Sequence, residues 1–345
     1  MNIVNDISRF RQPIMGYAIC LVLFVHIFFM DLLTEGSSNL WWEKLRQMGS
    51  SGVDIFLVVS AFGLYYSMKK NPSARVFYHK RIVRLLPMIL IGFAIGYAAQ
   101  FMADVGEGRR VPTIVIKMAF YFRHYFYSLW FLYLLFYLYL CFPVIFHYLE
   151  GAPTEQARCQ RSRLLMLVAI LMSVMMGMSF WDLGIKDMYG TLMSACFRLP
   201  IFLTGIYIIY RLPVTTYIYR SHWVFLVSLA VAYLSSRLYP AIQYFAFGFM
   251  ALSVIKYLVW VFSHVKWLCA VFSFLGRYTL EIYVMHMYVY SHITNYLPSR
   301  SITTLAVAVA LSILFAIVLH YIIQFGGRYI PLLYNRIARA REKKS

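Results

Sequence analysis

The stretch that decides the fold is "IMGYAICLVLFVHIFFM", residues 14–30. Every residue in it is apolar, aromatic or small except one histidine, His26. Such a run is typical of a helix that crosses a bilayer, whose hydrocarbon core is about 30 Å thick. An imidazole in hydrocarbon is costly, so an ionisable side chain in a span usually faces a cavity or a partner. His26 is therefore the first candidate functional residue, against the alternative of a structural hydrogen bond.

The composition of the whole chain agrees with this membrane interpretation. Of its 345 residues, 62% are hydrophobic and 13% are charged, whereas a soluble domain carries about 25% charged residues. The sequence predicts an all-α fold, a polytopic membrane protein of about ten transmembrane helices in a single domain over residues 1–345. The predicted spans are 13–33, 52–68, 84–103, 128–148, 163–181, 195–210, 222–236, 240–262, 277–295 and 302–324.

The distribution of basic residues predicts the topology. With a cytoplasmic N-terminus, 20 of the 32 Lys and Arg residues fall in inner segments and ten fall in outer loops. The positive-inside rule then places both termini in the cytoplasm. Residues 326–345 are predicted to break from the last span at Gly326-Gly327 and to form a basic tail on anionic lipid. The net charge of +19 thus indicates topology and lipid headgroups, not nucleic acid.

Motifs for metals and soluble cofactors are missing from the sequence. The five cysteines form no CxxC pair and lie mostly in apolar runs, so neither a metal site nor a disulfide framework is expected. The sequence has no GxGxxG, Walker loop or HExxH. The search for a site therefore turns to polar residues in or beside the spans.

The segment "FYHKRIVRLLP", residues 77–87, brings cations to the start of the third span. Arg81 and Arg84 are three residues apart and share a helix face, with Lys80 beside them. One interpretation is ordinary positive-inside flanking. The other is a clamp for a phosphorylated ligand, because guanidinium forks suit phosphate oxygens.

The segment "GRYTLEIYVMHMYVY", residues 276–290, holds a second polar group. Arg277 and Glu281 have the i,i+4 spacing of a helical ion pair. His286 lies about 14 Å beyond Arg277 at 1.5 Å per residue, which predicts a depth similar to that of His26. The alternative is a buried structural network.

Two charged residues begin spans at the predicted outer face. Asp54 starts the second span, where a carboxylate suits a helix N-terminus. Arg198 starts the sixth span. Each is interpreted as an anchor at the membrane interface.

Six segments in this order resemble the bacterial membrane-bound acyltransferase family three. The resemblance covers nearly the whole chain and rests on "IMGYAICLVLFVHIFF", "SSGVDIFLVVSAFGLYYS", "FYHKRIVRLLP", "SLWFLYLLFYLYLCFP", "RLPIFLTGIYIIY" and "FLGRYTLEIYVMH". It implies a plasma-membrane enzyme that moves an acyl group, often acetyl, from cytoplasmic acyl-CoA. The acceptor it implies is a hydroxyl of an envelope or exported glycan, or of a lipid-linked saccharide.

The resemblance also implies roles for individual residues. It makes His26 the essential catalytic group and associates Arg81 and Arg84 with acyl-CoA handling, and Lys80 is grouped with them. Glu281 and His286 are expected to orient or assist. His26 would act as a general base on the acceptor hydroxyl or as a transient acyl carrier, and the sequence leaves both open.

The sequence departs from the family pattern in three places. Met15 stands eleven residues before His26, where members often carry Arg or Lys; the nearest cation is Arg11, one turn further out. The common SGF of the second span reads Ser60-Ala61-Phe62, and Leu135 stands where many members have a glutamate. Three interpretations follow: Arg11 substitutes by snorkelling, the chain belongs to a subgroup with other substrates, or it is an inactive relative.

Two other classes of function fit the same sequence. Intramembrane His and Glu, together with 19% aromatic residues, are compatible with a transporter or flippase for a sugar or lipid-linked glycan. A clear pair of Gly- or Pro-broken half-helices, typical of inverted-repeat transporters, is not evident. A non-catalytic scaffold in an envelope-synthesis complex is the third possibility. The sequence does not indicate the oligomeric state.

Overall fold

The computed structural model describes the backbone of residues 3–29, 48–113, 129–182, 186–210, 219, 221–238, 240–293, 296–298 and 301–342. These residues form helices and turns with no strand, which confirms the predicted all-α class. The helices are α1 Ile3–Arg9, α2 Arg11–Phe29, α3 Ser51–Lys70, α4 Ala74–Gly106, α5 Trp130–Glu150, α6 Glu155–Asp182, α7 Lys186–Tyr210, α8 His222–Leu238, α9 Pro240–His264, α10 Lys266–Arg277, α11 Thr279–Ile293 and α12 Ile302–Glu342.

Each predicted span overlaps one of these helices, the ninth span overlapping α11, whereas α10 lies outside the predicted spans except for Arg277. Within the described part of the chain, five helices are long and apolar enough to cross a membrane, or six if α10 and α11 form one broken span. Shorter apolar helices add Arg11–His26, Ala195–Tyr210 and His222–Leu234. The chain is thus a helical membrane protein, and the count of ten spans stays a prediction. The sequence also predicts an additional half-span or interfacial helix at 111–124, most of which lies outside the described residues.

Helix α3 lies at the centre of the bundle. It packs against α2, α7 and α9, and most of its side chains are buried, including those on both sides of the helix. Around it, α6 packs on α7, α8 on α9 and α11 on α12. A helix that is apolar all round is expected in such a position, because it has no lipid- or water-facing side.

Helices α2 and α10 cross at two glycines. A Cβ added to Gly16 would meet the backbone carbonyl of Phe272, and one added to Gly276 would meet the carbonyl of Gln12. Small residues allow backbones to approach this closely, as in other helix pairs within membranes. One residue after Arg277 the chain bends by 74° into α11, so α11 leaves the crossing at a new angle while still packing on α2.

The predicted break at Gly326-Gly327 is wrong. The backbone of α12 runs without interruption for 41 residues, from Ile302 to Glu342. Glycine lowers helix propensity by about 1 kcal/mol relative to alanine but keeps its amide donor, so two glycines weaken a helix without ending it.

The crossing of α2 and α10 makes a prediction about stability. Replacing Gly16 with Ala should lower the stability of the protein by about 1–3 kcal/mol, because the new methyl has only backbone against it. Thermal unfolding in detergent micelles measures the change. Gly106→Ala is the matched control, since a Cβ there meets nothing within 4 Å. Equal melting temperatures for the two variants would show that the crossing is not tight.

Candidate active site

Three arginines line one cavity at one end of the bundle, here called the arginine end. Arg11 comes from α2, and Arg81 and Arg84 come from α4. The cavity has a volume of about 70 Å³ and is partly open to the outside. Among the described residues that line it there is no Asp or Glu. A cavity with three cations and no lining carboxylate favours a ligand with several negative charges.

Arg81 is held in place by aromatic rings. Its guanidinium carbon lies 5.4 Å from the ring centre of Phe77 and 5.5 Å from that of Tyr139, both within the range of cation–π attraction. Its Nε is buried and has no hydrogen-bond partner. A buried donor without a partner costs free energy, so an anion that accepted from this nitrogen would be stabilised.

Arg11 lines the same cavity, and its guanidinium lies against the backbone of α3. Its guanidinium lies so close to Gly63 that a Cβ there would come within 2.9 Å of a terminal nitrogen. Met15, one turn further along α2, lines the cavity as well. The glycine thus provides the slot in which the Arg11 head group lies.

Arg11 and His26 leave α2 on nearly the same side. The 15 residues between them amount to just over four turns, or about 22 Å of helix at 1.5 Å per residue. Helix α2 therefore carries Arg11 where it begins, at the arginine end of the bundle, and the candidate catalytic His26 near its C-terminal end.

The far wall of the cavity is formed by Tyr283 and Phe131. The Tyr283 hydroxyl accepts a hydrogen bond from the Phe131 amide at 3.4 Å. On its other side, the Tyr283 ring lies 5.6 Å from the His286 ring, centre to centre. Neither His26 nor His286 lines the cavity, so Tyr283 stands between the cavity and the histidines.

His26 and His286 form a pair. Their ring centres are 4.8 Å apart in an edge-to-face arrangement, so the two histidines lie at the same depth. His286 is fully buried, whereas His26 is half-buried. The bundle thus brings together two imidazoles that are 260 residues apart in sequence, because α2 and α11 pack side by side.

The hydrogen bonds of the two histidines define their tautomers. Nδ1 of His26 lies 2.8 Å from the Val22 carbonyl, and Nδ1 of His286 lies 3.0 Å from the Ile282 carbonyl. A carbonyl only accepts, so Nδ1 carries the proton in each ring and Nε2 carries the lone pair when the ring is neutral. The Nε2 of His286 is buried without a hydrogen-bond partner. A neutral imidazole with its lone pair at Nε2 is equipped to accept a proton or to attack a carbonyl.

The expected pairing of Arg277 with Glu281 is replaced by a different one. The 74° bend falls between them, so they do not share a continuous helix face, and Arg277 is exposed. The buried Glu281 carboxylate accepts instead from Nδ1 of His320 at 2.7 Å. This contact joins α11 to α12 beside the bend. Lys80 is also exposed and does not line the cavity.

An ion pair that the sequence did not reveal lies elsewhere in the bundle. Arg198 donates from Nε to Asp54 at 3.1 Å and from a terminal nitrogen to the Ser50 hydroxyl at 2.8 Å. Its guanidinium also lies 5.2 Å from the Trp130 ring centre. Asp54 and Arg198 are both buried, so they are not interface anchors. The sequence did contain a signal for this pair, because Asp54 and Arg198 carry opposite charges and each begins a span at the predicted outer face.

Asp54 is not a helix cap. It lies within the first turn of α3, its carboxylate pairs with Arg198, and the capping position at Ser50 makes no side-chain cap hydrogen bond. A charge-assisted hydrogen bond from a guanidinium is stronger than a hydrogen bond from a neutral backbone amide at a helix N-terminus. In the described part of the chain, no group of three His, Cys, Asp or Glu residues is placed to hold a metal ion.

Comparison with protein families decides the class of this membrane protein. The family model described as "Acyltransferase domain", acyltransferase family 3, matches residues 16–321. The chain belongs to this family. No curated protein and no solved structure gives a significant match. The chain is therefore a membrane acyltransferase, as the sequence resemblance predicted.

Two residues at which the sequence departs from the family resemblance, Met15 and Leu135, both line the cavity. Neither carries a charge, so Arg11, Arg81 and Arg84 are the charged groups among the described lining residues.

The buried ion pair makes a prediction about stability. Asp54→Asn should destabilise this acyltransferase by about 3–5 kcal/mol, because it leaves the Arg198 charge buried without its partner. The double variant Asp54→Leu, Arg198→Met should recover most of that loss, since it removes both charges. Thermal unfolding in micelles measures both. A double variant no more stable than Asp54→Asn would contradict this account of the pair.

Proposed function

We propose that this acyltransferase moves an acyl group, acetyl as the first candidate, from cytoplasmic acyl-CoA to a hydroxyl of a cell-envelope or exported glycan. The observation that carries the proposal is the arrangement along one cavity: three arginines line it, its wall residue Tyr283 contacts the buried His286, and His286 pairs with the half-buried His26. We place the protein in the bacterial plasma membrane, with ten spans and both termini in the cytoplasm.

The donor binds by its phosphates at the arginine end. Coenzyme A carries a diphosphate and a 3′-phosphate, and guanidinium groups bind phosphate oxygens through charge-assisted hydrogen bonds. Arg81 and Arg84 contact the phosphates, and the unpartnered Nε of Arg81 gains an acceptor. Lys80, outside the cavity, adds only long-range attraction.

The pantetheine arm then runs through the cavity toward the histidines. The length of α2 between Arg11 and His26, about 22 Å, is comparable to the reach of an extended pantetheine arm. Apolar residues such as Phe56, Leu85 and Leu135 line the way. Tyr283 lies at the end of this path, so the thioester passes beside its ring to reach His26.

His26 removes the proton from the acceptor hydroxyl. Its Nε2 takes the proton as the hydroxyl oxygen attacks the thioester carbonyl; the C–S bond breaks, and the departing thiolate takes the proton from the imidazolium. The carbonyl of Val22 holds Nδ1–H, which directs the Nε2 lone pair to this task. In the other route the same nitrogen attacks the thioester carbonyl, the C–S bond breaks and CoA leaves as its thiolate. The acceptor hydroxyl then attacks the acyl group on His26, the acyl–N bond breaks, and the proton of the hydroxyl passes through Nε2 to the thiolate.

His286 and Glu281 orient the site. The His286 ring packs edge to face with His26 and so fixes the plane of the catalytic ring. Glu281 acts from further away, because its bond to His320 holds the start of α11 against α12. Neither residue needs to exchange protons with the substrate.

The proposal predicts the effect of removing the catalytic imidazole. His26→Ala should lower the rate of acyl transfer by at least about 10²-fold, the usual contribution of a positioned base. Transfer of label from [¹⁴C]acetyl-CoA to the glycan in membranes measures the rate, with the protein level determined on the same samples. His264→Ala, an exposed histidine at the end of α9, is the control and should leave the rate unchanged.

Two results would count against the proposal. Undiminished transfer by His26→Ala would exclude His26 as the catalytic group. Movement of a sugar across the membrane without consumption of acetyl-CoA would support a transporter. An acid-labile adduct on His26 after a single turnover without acceptor would select the acyl-carrier route over the general-base route.

A further inference from the structure

We infer that a groove on α6 binds an anionic phospholipid of the surrounding bilayer. The groove has a volume of about 400 Å³ and is open to the surroundings. It is lined by Ala157, Gln160, Arg161, Arg163, Leu164 and Leu167, all from one helix. None of these residues lines the arginine cavity, so the groove is a separate site and the inference goes beyond acyl transfer.

The groove is polar toward the start of α6 and apolar further along the helix. Gln160, Arg161 and Arg163 form its polar half, and Leu164 and Leu167 form its apolar half. Further exposed apolar residues follow along α6: Val168, Leu171, Met172 and Met175. A phospholipid has the same order of groups, with a phosphate at the membrane surface and acyl chains that run into the hydrocarbon.

The polar half of the groove carries two positive charges. No carboxylate is among its described lining residues. The neighbouring Arg158 does not line the groove, and it is paired instead with Glu150 at 3.6 Å. Guanidinium groups bind phosphate oxygens through charge-assisted, often bidentate hydrogen bonds. Arg161 and Arg163 therefore favour an anionic headgroup.

Arg161 is held in place by the end of α5. Its terminal nitrogen donates to the Tyr148 carbonyl at 2.6 Å, and its guanidinium carbon lies 4.9 Å from the ring centre of the same tyrosine. A guanidinium has several N–H donors, and this bond uses one of them, so others remain for phosphate oxygens. Because the head group is already ordered, less side-chain entropy is lost when a lipid binds.

The groove lies at the arginine end of the bundle. Tyr148 is two residues before Glu150, whose carboxylate accepts from the Tyr65 hydroxyl at 2.8 Å. Tyr65 in turn is two residues after Gly63, against which Arg11 lies. In the proposed topology this end faces the cytoplasm, where anionic lipids attract basic segments beside a span. The polar half of the groove is thus placed at the level of the lipid headgroups.

Native mass spectrometry of the full chain, released from micelles, measures the affinity for single lipids. The chain is titrated with phosphatidylglycerol, which is anionic, or with phosphatidylcholine, whose net charge is zero. The first phosphatidylglycerol should bind at least about tenfold more tightly, because two basic residues attract its charge. Arg163→Gln should weaken phosphatidylglycerol binding about fivefold, the share of one basic residue near a membrane surface, and leave phosphatidylcholine binding unchanged.

Two controls show whether the effect belongs to this groove. Arg75→Gln removes an exposed arginine at the start of α4, outside the groove, and should leave phosphatidylglycerol binding unchanged. Glycerol 3-phosphate carries a phosphate without acyl chains, so at equal concentration it should not displace the lipid. Equal melting temperatures of the unmodified chain and both variants in phosphatidylcholine micelles show that the variants are folded.

Several results would overturn the inference. Equal affinity for the two lipids, or equal losses in Arg163→Gln and Arg75→Gln, would show that only long-range charge attracts lipid to this end. Displacement by glycerol 3-phosphate would assign the groove to a soluble phosphate compound. A dimer that Arg163→Gln weakens would assign it to a second copy of the chain.

Discussion

The cost of charge inside a bilayer is the constraint on which this structure depends. An ionised side chain within a span is tolerated where it faces a counter-charge, water or a bound ligand. The bundle satisfies this rule in two different ways. Arg198 is buried in an ion pair with Asp54, and this pair stabilises the fold. Arg11, Arg81 and Arg84 instead face a cavity that has no carboxylate among its described lining residues. The second arrangement leaves room for an anion, and this makes the cavity a candidate donor site.

The close crossing of α2 and α10 sets the geometry of that site. Gly16 and Gly276 bring the two backbones into contact. The bend after Arg277 then directs α11 along the part of α2 that contains His26. As a result His286 meets His26, and Tyr283 closes the end of the cavity. Without the glycines the helices would separate, and the histidine pair would separate with them.

Much of this arrangement follows from sequence patterns. Hydrophobic runs located the helices of the predicted spans but not α1 or α10, and the spacing of His286 from Arg277 indicated a depth similar to that of His26. Arg81 and Arg84 share a cavity because a spacing of three residues puts them on one helix face. These inferences succeed because helix rise and turn are the same in every helix.

Features that depend on contacts between helices were not predictable in the same way. The bend between Arg277 and Glu281 gave Glu281 a partner on α12, and no local spacing indicates His320 as that partner. The pairing of Asp54 with Arg198 needs α3 and α7 to be neighbours. The predicted break at Gly326-Gly327 does not occur, because glycine lowers helix propensity without removing a backbone hydrogen bond.

The central claim is that the donor bound at the arginine end delivers its acyl group past Tyr283 to the histidine pair, and photo-crosslinking tests it most directly. An acyl-CoA analogue with a diazirine at the end of a short acyl chain is bound to the protein, irradiated and mapped by mass spectrometry. The account predicts labels near His26 on α2 and around Tyr283 on α11, which excess CoA prevents. Labels confined to other helices, or labels that CoA does not prevent, would contradict it.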